Sequence, residues 1–281
     1  MFYLKINNEE RGIKMELLKQ FDEVLRDYIK PQSMPIAVKL LKDGNVNIPP
    51  KAKQPSEFLG YPIALCQGFS FARKYGWTIV FKINDIACGP ALSYFGFIER
   101  PEFEKEGGIV YPNYAKTLEA GKKSEDIIDK LSVGEINSIV IAPLSKTTFE
   151  PDIIMIYCNA AQIARLTSGA LYCEGGGIET VIAGRCACSS EIITPLQRQT
   201  YNVIVPDGGE RMFGLTGDDE MVFSVPYNKV PYIIEGIVTT HKSGVSRYPY
   251  PVYGLRMEPK FPDSYEKLVE IAKGTVSERI V

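Results

Sequence analysis

The sequence predicts an α+β (mixed α/β) protein: a mixed sheet with helices packed on it, forming one compact unit or two closely packed lobes. Seven short apolar segments have the composition of strands, and they alternate irregularly with amphipathic segments instead of following a strict βαβα order. No linker-like stretch divides the chain. We therefore expect residues 1–33 to form an N-terminal helix packed on the core, and residues 34–281 to form a single mixed α/β domain.

The first half of the chain begins with a helix at residues 15–29, where apolar residues recur every three or four positions. A strand follows at 36–41. Residues 61–77 predict a second helix, with Pro62 near its start and Gly76 near its end, which leads into a strand at 77–84. The apolar pattern that predicts helices and strands weakens after residue 85, so we expect loops and short helices as far as residue 131.

The second half contains two nearly uninterrupted apolar runs, at residues 136–144 and 152–158. Such runs are typical of strands that are covered on both faces. Further strands are predicted at 178–184, 201–205 and 220–226, and further helices at 160–171, 189–199, 228–238 and 264–274.

The charge balance restricts the class of partner. Lys and Arg total 32 against 34 for Asp and Glu, a formal charge of −2. No basic field is available for nucleic acid, which we do not expect as a partner. Neither a signal-type apolar run nor a stretch of about 18 consecutive apolar residues is present, so we expect no membrane association and a cytoplasmic location.

Four of the six cysteines lie at predicted element ends, where functional groups collect in α/β proteins. Cys66 is in the first turns of a helix, and Cys88 follows a strand. Cys186 and Cys188 precede the helix predicted at 189–199. Cytoplasmic thiols are reduced, so these residues are interpreted as small hydrophobes, metal ligands or reactive thiols rather than disulfides.

An iron-sulfur cluster is one hypothesis, because its thiolates can come from separate loops. The spacing alone does not establish it, since the sequence contains no C-x-x-C pair. A single histidine, His241, makes a zinc site a poorer candidate. The alternative is that the cysteines are buried hydrophobes, which is the interpretation we prefer for Cys158, while Cys173 is open between loop packing and a ligand role.

A second hypothesis is a metal-free protein that binds a small anionic or planar ligand. The glycine turns, including Gly209, allow a close backbone approach, and Arg211 can bind a phosphate or carboxylate. The tyrosine-rich residues 246–263 could line a pocket, although tight turns and loop packing also explain these features. A third hypothesis is a thiol-dependent enzyme that uses Cys66 or Cys188.

An ordered series of segments resembles the prokaryotic family catalogued as domain of unknown function 169. The series is PIAVKLL, CQGFSFARKYG, DIACGPA, VIAPL, EPDIIMIYCNAAQIARL, CSSEIITPL and DGGERMFGLTGDDEMVFSVP, within residues 34–248. The resemblance implies that Cys66, Cys88 and Cys188 form a set, with Cys186 as an optional neighbour. It also marks Glu220 and the strand start at Asp152.

We therefore predict a cytoplasmic iron-sulfur or other thiolate-metal protein that works in redox chemistry or cofactor handling. Three thiolates on a 4Fe-4S cluster would leave one iron for Cys186 or for a small molecule. The expected partners are a small-molecule ligand or a redox protein. The sequence specifies neither a reaction nor an oligomeric state.

Overall fold

The computed structural model describes residues 2–42, 48–244, 246–250 and 261–274, with side chains from residue 12 onward. Within these ranges the chain forms a six-stranded open sheet with helices on both faces, so the predicted α+β fold is confirmed. No helix of the described part has the length and apolar character needed to span a membrane.

The strands pair antiparallel with every neighbour, in the order β2-β3-β1-β4-β6-β5. Parallel pairing is confined to two isolated bridges, so the expected mixed sheet is antiparallel in its described strands. The strands are β1 (Ile36–Leu41), β2 (Ile79–Phe81), β3 (Ser138–Pro143), β4 (Ile153–Cys158), β5 (Asn202–Ile204) and β6 (Met221–Pro226).

The described helices range from single turns to six turns. In chain order they are α1 (Phe2–Val24), α2 (Pro55–Phe58), α3 (Leu65–Tyr75), α4 (Gly89–Tyr94), α5 (Glu102–Lys105), α6 (Leu118–Asp126), α7 (Ala160–Ala170), α8 (Ala187–Arg198), α9 (Gly208–Phe213), α10 (Val230–Lys242) and α11 (Asp263–Ala272). A wider π-helical turn, Leu25–Ile29, continues α1.

The sheet is buried on both faces, because successive strand residues point to opposite sides. In β4, Ile154, Ile156 and Cys158 pack in one core with α1, α7 and α10, and we call this side the closed face. Ile153 and Tyr157 pack in the other core with α3 and α8, and we call that side the thiol face. The apolar runs of β3 and β4 are thus explained by two covered faces.

Six of the seven predicted strands are present in the described residues, and the one predicted at 178–184 is wrong. That segment is mostly exposed irregular chain, and Ile182 is 58% exposed. Gly176 and Gly184, at φ +80° and +72°, turn the chain before and at the end of the segment. It pairs with no described strand, so its β-branched residues do not form a strand.

Several helix boundaries differ from the predicted ones by two or more residues. The first helix begins by Phe2, well before residue 15. The second begins at Leu65, because the segment before it joins Ile63 to the 85–87 segment through backbone hydrogen bonds. The glycine turn predicted around Gly209 is instead the start of α9, capped by Asp207. Of the tyrosine-rich stretch, residues 251–260 lie outside the described part of the chain.

Candidate functional site

A cavity of about 440 Å³ opens on the thiol face. Its wall is formed by the first turns of α3, α4, α8 and α9, which come from four distant parts of the chain. Four cysteines line it: Cys66, Cys88, Cys186 and Cys188. The structure therefore brings together all four cysteines that the sequence selected, and we call this cavity the thiol pocket.

The first two thiols are held by the pairing of two loops. The N–H of Ile63 donates to the Asp85 carbonyl at 3.0 Å, and the N–H of Ala87 donates to the Ile63 carbonyl at 2.9 Å. This bridge places Cys66, the second residue of α3, beside Cys88, the residue that precedes α4. Each thiol thus lies at a helix N-terminus, where the partial positive charge of the helix favours a thiolate or another anion.

The other two thiols are held at the start of α8. Asp207 joins this helix to α9, since its Oδ2 accepts the Ala187 N–H and its Oδ1 accepts the Glu210 N–H, both at 2.9 Å. Cys186 has φ +53° and ψ +41°, a left-handed conformation that costs free energy for any residue with a Cβ. Such strain is often found at functional sites, and here it lies in the pocket wall.

The side chain of Arg185 fixes the same segment in place. Its guanidinium donates to Glu125 Oε1 and, at 2.9 Å, to the Tyr94 hydroxyl. Tyr94 in turn donates to Glu125 Oε2 at 2.7 Å. Glu125 is fully buried and Arg185 is 9% exposed, so this is a closed network that fixes the backbone next to Cys186.

A pair of buried carboxyl groups lies beside the pocket. Glu210, in the wall, accepts the Tyr157 hydroxyl at 2.6 Å and the Thr216 hydroxyl at 3.2 Å. Glu191 is fully buried, and neither of its oxygens accepts an N–H or hydroxyl donor. Its remaining neighbour is the Glu210 carboxyl, and a hydrogen bond between two carboxyl groups requires a proton on one of them.

Burial raises the pKa of both acids, and the charge of Glu210 raises that of Glu191 further. The charge of Arg73 lowers the pKa of Glu191 by less than burial raises it, and the Arg73 guanidinium binds both oxygens of Glu220 at 2.8 and 3.0 Å. It also stacks 3.9 Å from the centre of the Tyr157 ring. We assign the shared proton to Glu191, which has no other donor.

All four pocket thiols have raised pKa values. Burial is the main cause in each case, and it raises the pKa of Cys186 to about 12 although Arg185 opposes the shift. Cys186 and Cys88, which line the same cavity, also raise the pKa of Cys188. The thiols of the metal-free chain are therefore neutral at physiological pH.

The four thiols line one cavity. Among the described residues, no group of three or more His, Cys, Asp or Glu side chains could hold a single metal ion. A tetrahedral Zn²⁺ needs its sulfur ligands at about 2.3 Å from one centre.

The remaining predicted residues divide between the wall and the surrounding chain. Gly209 is in the wall, and its carbonyl lies 4.0 Å from the Cys66 sulfur. Arg211 does not line the pocket, because its guanidinium donates to the backbone carbonyls of Gly217 and Glu220. Cys158 is buried in the closed face, as expected of a small hydrophobe. 

Two further residues that the sequence marked lie away from the wall. Cys173 is exposed, and its sulfur lies 3.7 Å from the Tyr232 carbonyl. Asp152 accepts hydrogen bonds from the Lys39 ammonium and the Leu40 N–H, both at 2.7 Å. These bonds fix the start of β4 against β1.

Sequence reasoning missed the polar residues around the thiols. Nothing in the sequence around Arg185 or Asp207 distinguishes these residues from charged residues on the protein surface. Glu191 has a stronger one, because it lies three positions after Cys188 in an apolar helix, a spacing that puts both residues on one helix face. A charged residue on a buried helix face indicates a functional or tightly paired group.

Comparison with known proteins places the chain among relatives without an assigned activity. The sequence model of a family described as an uncharacterised ArCR family, domain of unknown function 169, matches residues 24–236. The chain is similar to uncharacterized protein MJ0308 of Methanocaldococcus jannaschii, with 26% identity over 175 residues, 61% of this chain and 75% of that protein. No solved structure matches the chain.

Proposed function

Because the chain belongs to the family of domain of unknown function 169, which supplies no activity, we propose a function from the thiol pocket itself. We infer that the protein is a cytoplasmic iron-sulfur protein that works in redox chemistry or cofactor handling. Cys66, Cys88 and Cys188 would bind the cluster, and Cys186 would supply a fourth ligand or leave that position to a small molecule.

The observation that carries the proposal is the convergence of four thiols, from three separate segments, at helix N-termini around one cavity. Iron-sulfur clusters are bound by thiolates, and their negative charge is stabilised by N–H groups and a buried environment. The helix starts supply the first of these conditions and the apolar wall supplies the second. The compartment follows from the same need, since the cytoplasm keeps such thiols reduced.

A cluster agrees better with this arrangement than a single ion does. Each cysteine of a 4Fe-4S cluster binds a different iron atom, so the sulfur atoms must surround the cluster instead of meeting at one centre. The four thiols line one cavity of about 440 Å³. The raised thiol pKa values mean that binding would release protons, as thiolate ligation in general does.

The same pKa values weigh against a thiol-dependent enzyme without metal. A nucleophilic cysteine needs a lowered pKa so that the thiolate is present near neutral pH. Burial shifts Cys66 and Cys188 in the opposite direction. We therefore rank this function below the cluster.

The test is anaerobic reconstitution with ferrous iron and sulfide, followed by assays of bound iron and sulfide and by the visible absorption spectrum. The wild-type chain is expected to become coloured and to retain both elements after desalting. The substitutions Cys66→Ser, Cys88→Ser and Cys188→Ser should each remove most of the bound iron, and Cys186→Ser should remove less.

Cys173→Ser is the matched control, because this exposed cysteine lies outside the pocket and should leave the iron content unchanged. A colourless wild-type protein, or equal loss of iron in the control, would exclude the cluster. Circular dichroism of each variant separates loss of a ligand from loss of the fold.

A further inference from the structure

The mouth of the thiol pocket is lined by exposed aromatic side chains, whereas its floor carries the thiols. Tyr61 precedes α3, Tyr114 lies between α5 and α6, and Phe213 ends α9. All three line the cavity, yet they are 58%, 70% and 51% exposed. Three large aromatic side chains from separate segments, left open around one cavity, form an apolar rim that a ligand could cover.

We propose that this rim binds a flat, uncharged organic molecule, which lies between Tyr61, Tyr114 and Phe213 with one edge toward the thiols. The inference depends on the proposed function only in assigning the floor of the pocket to the inorganic group. The rim itself contains no cysteine and would bind its ligand next to that group.

The charges of the wall support an uncharged ligand. The charged or acidic side chains that line the pocket are Arg185, Asp207 and Glu210. Each already has partners within the chain: Arg185 binds Glu125 and Tyr94, Asp207 accepts two backbone N–H groups, and Glu210 accepts two hydroxyls. 

No lining cation is thus left to pair with an anionic ligand. The two acidic side chains, against one guanidinium, would also disfavour a negative charge on the ligand. The charged side chains of the wall therefore disfavour carboxylates and phosphates at the rim, whereas the N–H groups of the helix starts lie beside the thiols on the floor.

The size of the cavity also agrees with a small organic ligand. Pockets for such molecules have volumes of about 300–1,000 Å³, lined mainly by apolar and aromatic side chains with a few polar groups. The thiol pocket, at about 440 Å³, lies in the lower part of this range. Aromatic rims favour planar ligands, because two rings can stack over a wide contact area.

The test compares two probes that share a ring system, 2-naphthol and 2-naphthoate, by calorimetry and saturation-transfer NMR. Both the metal-free and the reconstituted protein are titrated. We expect 2-naphthol to bind at least tenfold more tightly than 2-naphthoate. The double substitution Tyr114→Ala with Phe213→Ala should weaken 2-naphthol binding at least tenfold.

Phe103→Ala is the control, since this residue is 59% exposed and does not line the pocket. Equal or tighter binding of 2-naphthoate, no binding of 2-naphthol to either form, or an equal loss in the control would overturn the proposal. The rim variants should still take up iron and sulfide like the wild type. A chain that binds 2-naphthol at the rim but no iron would overturn only the cluster.

Discussion

The two faces of the sheet serve different purposes, although the same strands build both. The core of the closed face consists of aliphatic and aromatic side chains, with Cys158 1% exposed among them and the buried Arg165 bound between α7 and α10. The thiol face carries buried ionisable groups behind its apolar core, including Arg73, Glu191 and Glu210. Tyr157 and Cys158 are adjacent in β4. The Tyr157 hydroxyl donates to Glu210 in the pocket wall, whereas Cys158 packs in the core of the closed face. The alternation of one strand thus separates the packing of the closed face from the candidate site.

The closed face should be the less tolerant of added volume. Gly169 of α7 and Gly236 of α10 bring these helices into backbone contact, and a Cβ at Gly236 would overlap the Gly169 carbonyl oxygen. Gly236→Ala must separate the two helices, which we expect to lower the free energy of unfolding by about 3 kcal/mol. Urea denaturation measures this loss.

The corresponding position on the thiol face is Gly68 of α3, where a Cβ would meet the ring of Phe81 instead of a backbone atom. A side chain can move more easily than a backbone, so Gly68→Ala should cost about 1–2 kcal/mol. If Gly68→Ala proves the more damaging of the two, the closed face is not the more rigidly packed side.

The thiol face should depend on pH through its buried acid pair. The pKa of Glu191 is raised in the folded chain above the ordinary value of 4.5, so the folded state binds this proton more tightly than the unfolded state does. The free energy of unfolding therefore falls as the pH rises above 4.5 toward the folded-state pKa. Glu191→Gln removes this dependence, and should stabilise the protein at pH 8 by about 2 kcal/mol while having little effect at pH 4.

Unfolding curves of the wild type and of Glu191→Gln at both pH values provide the measurement. Glu99→Gln, at a side chain that is 75% exposed, is the matched control and should show no such difference between the two pH values. A Glu191→Gln variant that is less stable than the wild type at pH 8 would mean that Glu191 is ionised and compensated in the fold.

The smallest predicted effect on stability concerns Cys186, the residue of the pocket wall with a left-handed backbone. Cys186→Gly and Cys186→Ala both remove the thiol, but glycine alone accepts φ +53° without a steric penalty. The glycine variant should be about 1 kcal/mol more stable than the alanine variant. Thermal denaturation of the two proteins decides this, and an alanine variant of equal or greater stability would show that the segment relaxes.

Much of the fold could be predicted from the sequence because burial leaves a direct pattern. The apolar runs of β3 and β4 marked strands covered on both faces, and β1 was predicted with its observed bounds. The segment at 178–184 misled the prediction because β-branched residues indicate a strand only where a partner strand is available. Nothing local to that segment reveals that its neighbours are turns and solvent.

The thiols of the candidate site could be predicted from the sequence, but the polar residues around them could not. Cys66, Cys88, Cys186 and Cys188 share a visible property, their position at element ends, and the structure puts all four in one wall. The acid pair and the Arg185 network depend on contacts between residues about 20–90 positions apart. Such contacts are set by tertiary packing, which no local pattern records.

The four-part wall of the thiol pocket also sets the order in which this protein can mature. Its lining residues run from Tyr61 to Phe213, so a ribosome must have produced the segment through α9 before the cavity can exist. Any inorganic group would have to be inserted after translation of that segment. Shorter products of interrupted synthesis would carry some of the cysteines without the enclosure around them.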